Sequence, residues 1–176
     1  MKTALKEFRN VLNKIIPSYL HKKVRLTSDA KMVKIMDMMK NRIHFYEDLL
    51  NHTYFFEEPT YDSSIKSFKK KLTQPTLTKI EILEDLLLLF SKASEQTSEE
   101  NEEFDKDHYN KICSLYLYEN VDRNFKNEDI FFLLRFAVTG NPVGASTGEI
   151  CEVIGISQVI QRCKNAIDHL HNEDQK

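Results

Sequence analysis

Phe131-Phe132-Leu133-Leu134-Arg135-Phe136-Ala137-Val138-Thr139-Gly140-Asn141-Pro142-Val143-Gly144-Ala145-Ser146-Thr147 is the stretch that decides how this chain of 176 residues is built. An apolar run carrying one arginine meets a Thr-Gly stop. A loop of small residues with a proline follows, and then a second amphipathic segment. All four glycines of the chain, Gly140, Gly144, Gly148 and Gly155, fall between Thr139 and Gly155. Outside that stretch no glycine is present to take positive φ at little cost. The layout reads as helix, glycine stop, loop, helix, with Arg135 one turn before the exit.

Two chemistries suit Arg135. At a helix end it can donate to orphan carbonyls, worth a few tenths to about 1 kcal/mol. Beside a turn of small residues, its planar fork can instead bond base edges or phosphate, and it can stack on bases. Single-stranded RNA loops are bound by such groups, with lysines holding the phosphates. Gly144, Ala145 and Ser146 are small enough to bring backbone groups within bonding distance of a base.

Working outward, the composition suits a helix-rich globular protein: apolar residues make up 41%, charged residues 30%, and there are four prolines. The longest apolar run, Leu86 to Phe90, is far too short to cross a bilayer, so no membrane partner is expected. Met1 to Phe8 reads directly into an amphipathic pattern rather than a signal segment. Three cysteines, Cys113, Cys151 and Cys163, have no recurring spacing, which argues for reduced thiols inside a cell and against a zinc knuckle. The net charge of −2 hides a split. Residues 1–80 hold 16 Lys/Arg against 8 Asp/Glu, whereas residues 81–176 hold 9 against 19. A polyanion would therefore lie mostly along the first half, unless the two halves neutralise each other.

Helical periodicity runs through most of the chain. Thr3 is placed to cap a first helix with the apolar face Leu5, Phe8, Leu12 and Ile15, ended by Pro17. Thr27-Ser28-Asp29 supplies a second cap, followed by the stripe Met32, Val33, Ile35, Met36, Met39 and Ile43, which reads as core. A short helix at Glu47–Asn51 and the aromatics Tyr54-Phe55-Phe56 precede Pro59, where an extended connector is expected. Ile65 to Leu72 is basic, and its Lys66, Lys69, Lys70 and Lys71 suit either a solvated face or contact with phosphates. A strong helix covers Ile80–Phe90. Ser91 to Asp107, rich in Ser and Glu, reads as an exposed acidic loop. Further helical patterns span about 107–118, 129–138, 146–154 and 157–170, with Asn127-Glu128-Asp129 as capping chemistry. The class is all-α, in two packed helical subdomains at 1–62 and 63–176.

No nucleophile elbow, glycine-rich phosphate loop or zinc-protease helix is present, so an enzyme acting alone is not expected. The order of segments resembles the C-terminal, anticodon-binding half of glutamate–tRNA ligases, the class I glutamyl-tRNA synthetases of bacterial and organellar type. The match rests on the helix Val33–Ile43 with Arg42, on Tyr54-Phe55-Phe56-Glu57 leading to Tyr61-Asp62, and on the helix Ile80–Phe90. It rests most of all on Leu134-Arg135-Phe136-Ala137-Val138-Thr139-Gly140, followed by Gly155, Arg162 and Ala166.

That resemblance implies a multi-helical cage in two subdomains that receives a tRNA anticodon loop. Arg135 would contact a base, and Gly144, Ala145, Ser146 and Thr147 would line its pocket. Arg42 and the lysines Lys66, Lys69, Lys70 and Lys71 are further candidate RNA contacts. The partner would be a glutamate-type tRNA, with glutamine-type tRNA as a second substrate. The catalytic half, with its His-x-Gly-His motif, mobile lysine loop, ATP and magnesium, is expected upstream in the same polypeptide. This chain then carries no catalytic residue, cofactor or metal, binds without aminoacylating, and is expected first in mitochondria, or in the cytoplasm if its source is bacterial. The competing reading is a non-catalytic helical protein-interaction module derived from that domain. Under the first reading, Arg135→Ala should weaken binding to RNA bearing the cognate anticodon by about 1–3 kcal/mol. Equal affinities of variant and parent in filter binding would reject base contact by Arg135.

Overall fold

The helical periods of the sequence become helices throughout the computed structural model, which describes residues 2–61, 68, 71–100 and 104–174. In order these are α1 (Lys2–Ile15), α2 (His21–Leu26), α3 (Asp29–Met39), α4 (Thr76–Glu100), α5 (Lys106–Glu119), α6 (Asn127–Thr139), α7 (Thr147–Ile154) and α8 (Ile156–Asp174). Short 3-10 segments lie at Ser18–Leu20, Tyr46–Phe55 and Val121–Arg123. There is no strand among the described residues, so the class is all-α. The chain divides into two units, Met1–Glu58 and Pro59–Lys176.

In the first unit, α1 packs on α2, α3 and the Tyr46–Phe55 segment. Its core includes Leu5, Leu12, Leu20, Val24, Met32, Ile35 and Met39. The methionine stripe is therefore core, as its three- and four-residue spacing implies. Ser28 caps α3 by accepting the Lys31 N–H at 3.2 Å. Thr3, expected as a cap, lies inside the first turn of α1 instead. Tyr54, Phe55 and Phe56 are buried at the end of the 3-10 segment. Arg9 binds this unit together. Its guanidinium donates to the carbonyls of Val24 (2.6 Å) and Thr27 (2.7 Å) and to the Asp29 carboxylate (2.8 Å). One side chain thus satisfies two part-buried carbonyls at the end of α2 and ties them to the start of α3.

In the second unit, α4 and α8 pack along each other, α5 lies against α4 and α7, and α6 touches α8, α7 and α5. Helix α6 is buried almost all round: Ile130, Leu133, Leu134, Arg135, Phe136, Ala137, Val138 and Thr139 are all inside. A helix apolar on every face belongs at the centre of its unit. A close approach helps build that centre. A Cβ added to Gly148 in α7 would stand 2.8 Å from the Asn110 side chain and 3.1 Å from the Lys106 carbonyl of α5. The three cysteines are free and buried. Burial pushes the thiols of Cys113 and Cys163 up to about 12, and that of Cys151 well above its ordinary value.

One expectation is corrected. Ser91–Asp107 is not a loop along its whole length, because α4 continues through the acidic residues to Glu100. No glycine or proline interrupts Thr76–Glu100, and Lys, Ala, Gln and Glu are good helix formers. With no stop signal, helix propagation outlasts the apolar stripe that began it. Ser91 also donates to the Leu87 carbonyl at 2.8 Å, a bond within the helix rather than a break. The turn before α5 is capped by Asp105, whose carboxylate accepts the N–H groups of Asp107 (2.9 Å) and His108 (3.0 Å).

The buried end of α6 is held by residues from elsewhere in its unit. Phe136 C=O accepts the Gly140 N–H at 3.0 Å. Ala137 C=O accepts the Tyr61 hydroxyl at 2.8 Å, and Val138 C=O accepts the Arg162 guanidinium at 2.6 Å. The Tyr61 proton is shared with the Arg162 carbonyl, 3.1 Å away in α8. Tyr61→Phe keeps the ring packing on Phe136 but leaves a buried carbonyl unpaired. Urea unfolding should show it about 1–2 kcal/mol less stable than the parent.

Candidate functional site

Gly140 ends α6 with φ +63°, a left-handed C-terminal cap suited to glycine. From there Thr139 organises the loop. Its hydroxyl accepts the Asn141 N–H at 2.9 Å and lies within donating distance of the carbonyls of Arg135 (2.8 Å) and Asn141 (3.0 Å). Asn141 in turn accepts the Val143 N–H at 3.1 Å, an Asx turn that directs the chain outward. The chain returns at Ala145, which is fully buried, and Ser146 caps α7. The cap is reciprocal: Ser146 Oγ accepts the Glu149 N–H at 3.3 Å, and the Glu149 carboxylate accepts the Ser146 N–H at 3.0 Å.

Arg135 reaches across this loop. Its side chain is 7% exposed, and its guanidinium donates to the Ala145 carbonyl. The helix-end chemistry of arginine is thus spent on the returning strand of the loop rather than on α6 itself. Thr147 Oγ1, also buried, lies 3.4 Å from the Phe131 carbonyl and closes the other side. Between them opens a cavity of about 310 Å³, lined by Asn127, Glu128, Phe131, Phe132, Arg135, Ser146 and Thr147. That size lies at the lower end of ligand pockets, roughly 300–1,000 Å³. Its walls are two half-buried phenyl rings with polar groups at the ends. Lys71 adds a cation, its Nζ 4.1 Å from the centroid of the Phe132 ring.

The structure therefore brings Arg135, Ser146 and Thr147 to one cavity, with Lys71 on an aromatic wall. Ala145 supports the cavity from inside the protein through its engaged carbonyl, and Gly144 is exposed on the loop. Arg42 belongs to the first unit, exposed just past α3, where it donates to the Met38 carbonyl. Lys66, Lys69 and Lys70 lie outside the described residues. Asn127, Glu128, Phe131 and Phe132 were not among the site residues expected from sequence. Asn127-Glu128-Asp129 reads first as helix capping, and Asp129 does accept the Lys126 N–H at 3.0 Å. The signal was present all the same, because positions 128, 131, 132 and 135 share one helical face.

Among the described residues, no group of three or more His, Cys, Asp or Glu side chains is placed to hold a metal ion, and no helix is long and apolar enough to cross a membrane. The family model for the anticodon binding domain matches residues 4–167, so the chain belongs to the anticodon-binding domain family. It is 27% identical over 173 residues to the glutamate–tRNA ligase of Borreliella burgdorferi, covering 94% of this chain and 32% of that protein. To the corresponding ligase of Chloroherpeton thalassium it is 25% identical over 154 residues, or 85% of this chain and 27% of that one. The crystal structure of glutamate–tRNA synthetase from Elizabethkingia anophelis superposes with a TM-score of 0.67 at 22% identity, over 95% of this chain and 28% of that one. A glutamate–tRNA ligase from Elizabethkingia meningosepticum, solved with its amino acid, gives 0.66 at 20% identity, over 96% and 29%. The chain spans about a third or less of the length of these relatives.

The loop geometry depends on one hydroxyl. Thr139→Val keeps the shape but removes the acceptor of the Asn141 N–H. Amide hydrogen exchange at Asn141 should quicken about fivefold, equivalent to roughly 1 kcal/mol of lost local protection. Unchanged exchange there would show that the loop is held by other contacts.

Proposed function

We propose that this chain binds the anticodon loop of a tRNA as the anticodon-binding part of a glutamate–tRNA ligase. The observation that carries the reading is the cavity between α6 and the start of α7. It has aromatic walls for an unstacked base, a guanidinium at its inner end and a lysine beside it, in a chain of the anticodon-binding family. Single-stranded RNA loops offer such a cavity what it needs, namely splayed bases with edges to bond and faces to stack.

Within that reading Arg135 has two tasks. It positions the loop through the Ala145 carbonyl, and its charge lies at the cavity wall that would receive the base. Ser146 and Thr147 form the opposite wall, and Gly144 lets the RNA approach the loop backbone. Lys71, together with Lys66, Lys69, Lys70 and Arg42, supplies positive charge for the phosphates. Attachment of glutamate, with ATP and magnesium, falls to a catalytic domain of the same enzyme. The glutamate-type tRNA is the expected partner, and the glutamine-type tRNA a second one. The matched ligases are bacterial, which favours a bacterial cytoplasm over a mitochondrion as the working compartment.

The test is a gel shift at low salt with tRNA transcripts that differ only in the anticodon. The parent protein should bind the glutamate transcript at least about tenfold more tightly than one with an unrelated anticodon. Replacing Lys71 with Gln should weaken all transcripts alike and reduce the salt slope by about one. No detectable tRNA binding, together with capture of a protein partner, would move the chain to the interaction-module reading.

A further inference from the structure

The proposed site contains a residue of the wrong charge for RNA. Glu128 lines the cavity two helical turns from Arg135, about 10.5 Å apart along the axis of α6. Its neighbour Asp129 is committed to the cap of α6 and lies 3.5 Å from the Gln74 amide. Among the described residues, no donor or cation engages the Glu128 carboxylate, which is exposed at the cavity. A carboxylate beside an RNA-binding cavity repels phosphate at any distance shorter than the Debye length, about 10 Å at 0.1 M salt. The Glu128 end of the cavity therefore disfavours a phosphate and favours a group that offers the carboxylate a donor.

We propose that Glu128 selects the base that occupies this cavity, accepting a hydrogen bond from an exocyclic amine. This rests on the anticodon-binding reading and deepens it. The cavity presents an acceptor-only group at one end, a donor-only guanidinium at the other, and the rings of Phe131 and Phe132 between them. Cytosine matches that order of groups: its N4 amine donates to Glu128 while its electron-rich ring nitrogen and carbonyl face the positive Arg135 end. Carboxylate acceptance from cytosine N4 is an established pairing in base readout. Uracil carries a carbonyl where cytosine has the amine, so it sets oxygen against carboxylate. The carboxylate thus works by rejection as much as by attraction. Asn127, the neighbouring residue on the same wall, can donate or accept and imposes no such choice.

The experiment uses the intact chain and glutamate tRNA transcripts in which each anticodon position in turn is cytosine or uracil, with affinities from filter binding. At the position that fills the cavity, the parent protein should prefer cytosine about tenfold. Glu128→Gln keeps the size of the side chain, and its amide can turn to donate or accept. The variant should bind the uracil transcript as tightly as the cytosine transcript, within about twofold. Full retention of the parent's preference in the variant overturns the proposal and leaves the anticodon reading standing. So does equal tightening for every transcript, which would mean that Glu128 acts only by repelling phosphates. A parent protein that binds no transcript, or ignores the anticodon, removes the reading and the proposal together.

Discussion

The second unit depends on a helix end that is buried. A helix leaves its last carbonyls without partners inside the helix, and water cannot reach those of α6. Three residues from separate parts of the chain supply the donors: Gly140 through its backbone, Tyr61 through its hydroxyl and Arg162 through its guanidinium. An unpaired buried carbonyl costs about 1–3 kcal/mol, a large fraction of the stability of a small domain. Each donor therefore holds α6 at one depth, and with it the point where the loop leaves.

From that fixed exit the site follows. The left-handed turn at Gly140 and the Thr139 hydroxyl set the direction of the loop, and the Ser146–Glu149 box sets where it ends. Arg135 joins the two by holding the Ala145 carbonyl. The cavity is the space left over on the outer face of this closed circuit, so its lining is held in place before any ligand arrives. A site supported in this way loses little free energy to ordering when it binds. Its polar ends carry opposite charge, which gives a ligand an orientation as well as a place.

Much of this was present in the sequence, and the parts that were not have identifiable causes. The cap at Ser28, the stop at Gly140 and the core stripe of α3 all depend on residues within about one or two helical turns, so spacing alone places them. The tail of α4 reads as loop from its low hydrophobicity, yet it is helical to Glu100. Helix propensity and the lack of a stop signal governed there instead. Thr3 lies two residues inside the helix start rather than at its cap, within the usual uncertainty of helix ends. Glu128, Phe131 and Phe132 were hidden for another reason: each has a sufficient local explanation, as cap or as apolar run.

Sequence alone determined that the chain is helical, where most helices stop, and that Arg135 stands beside the one glycine-bearing turn region. Those features are set by local forces: a 3.6-residue period, the freedom of glycine at positive φ and short-range capping bonds. Only the tertiary structure decided what Arg135 holds, which helix face meets the start of α7, and that Tyr61 and Arg162 close the end of α6. Such facts depend on distances between segments remote in sequence. They arise because a buried polar group must find a partner wherever the packing brings one.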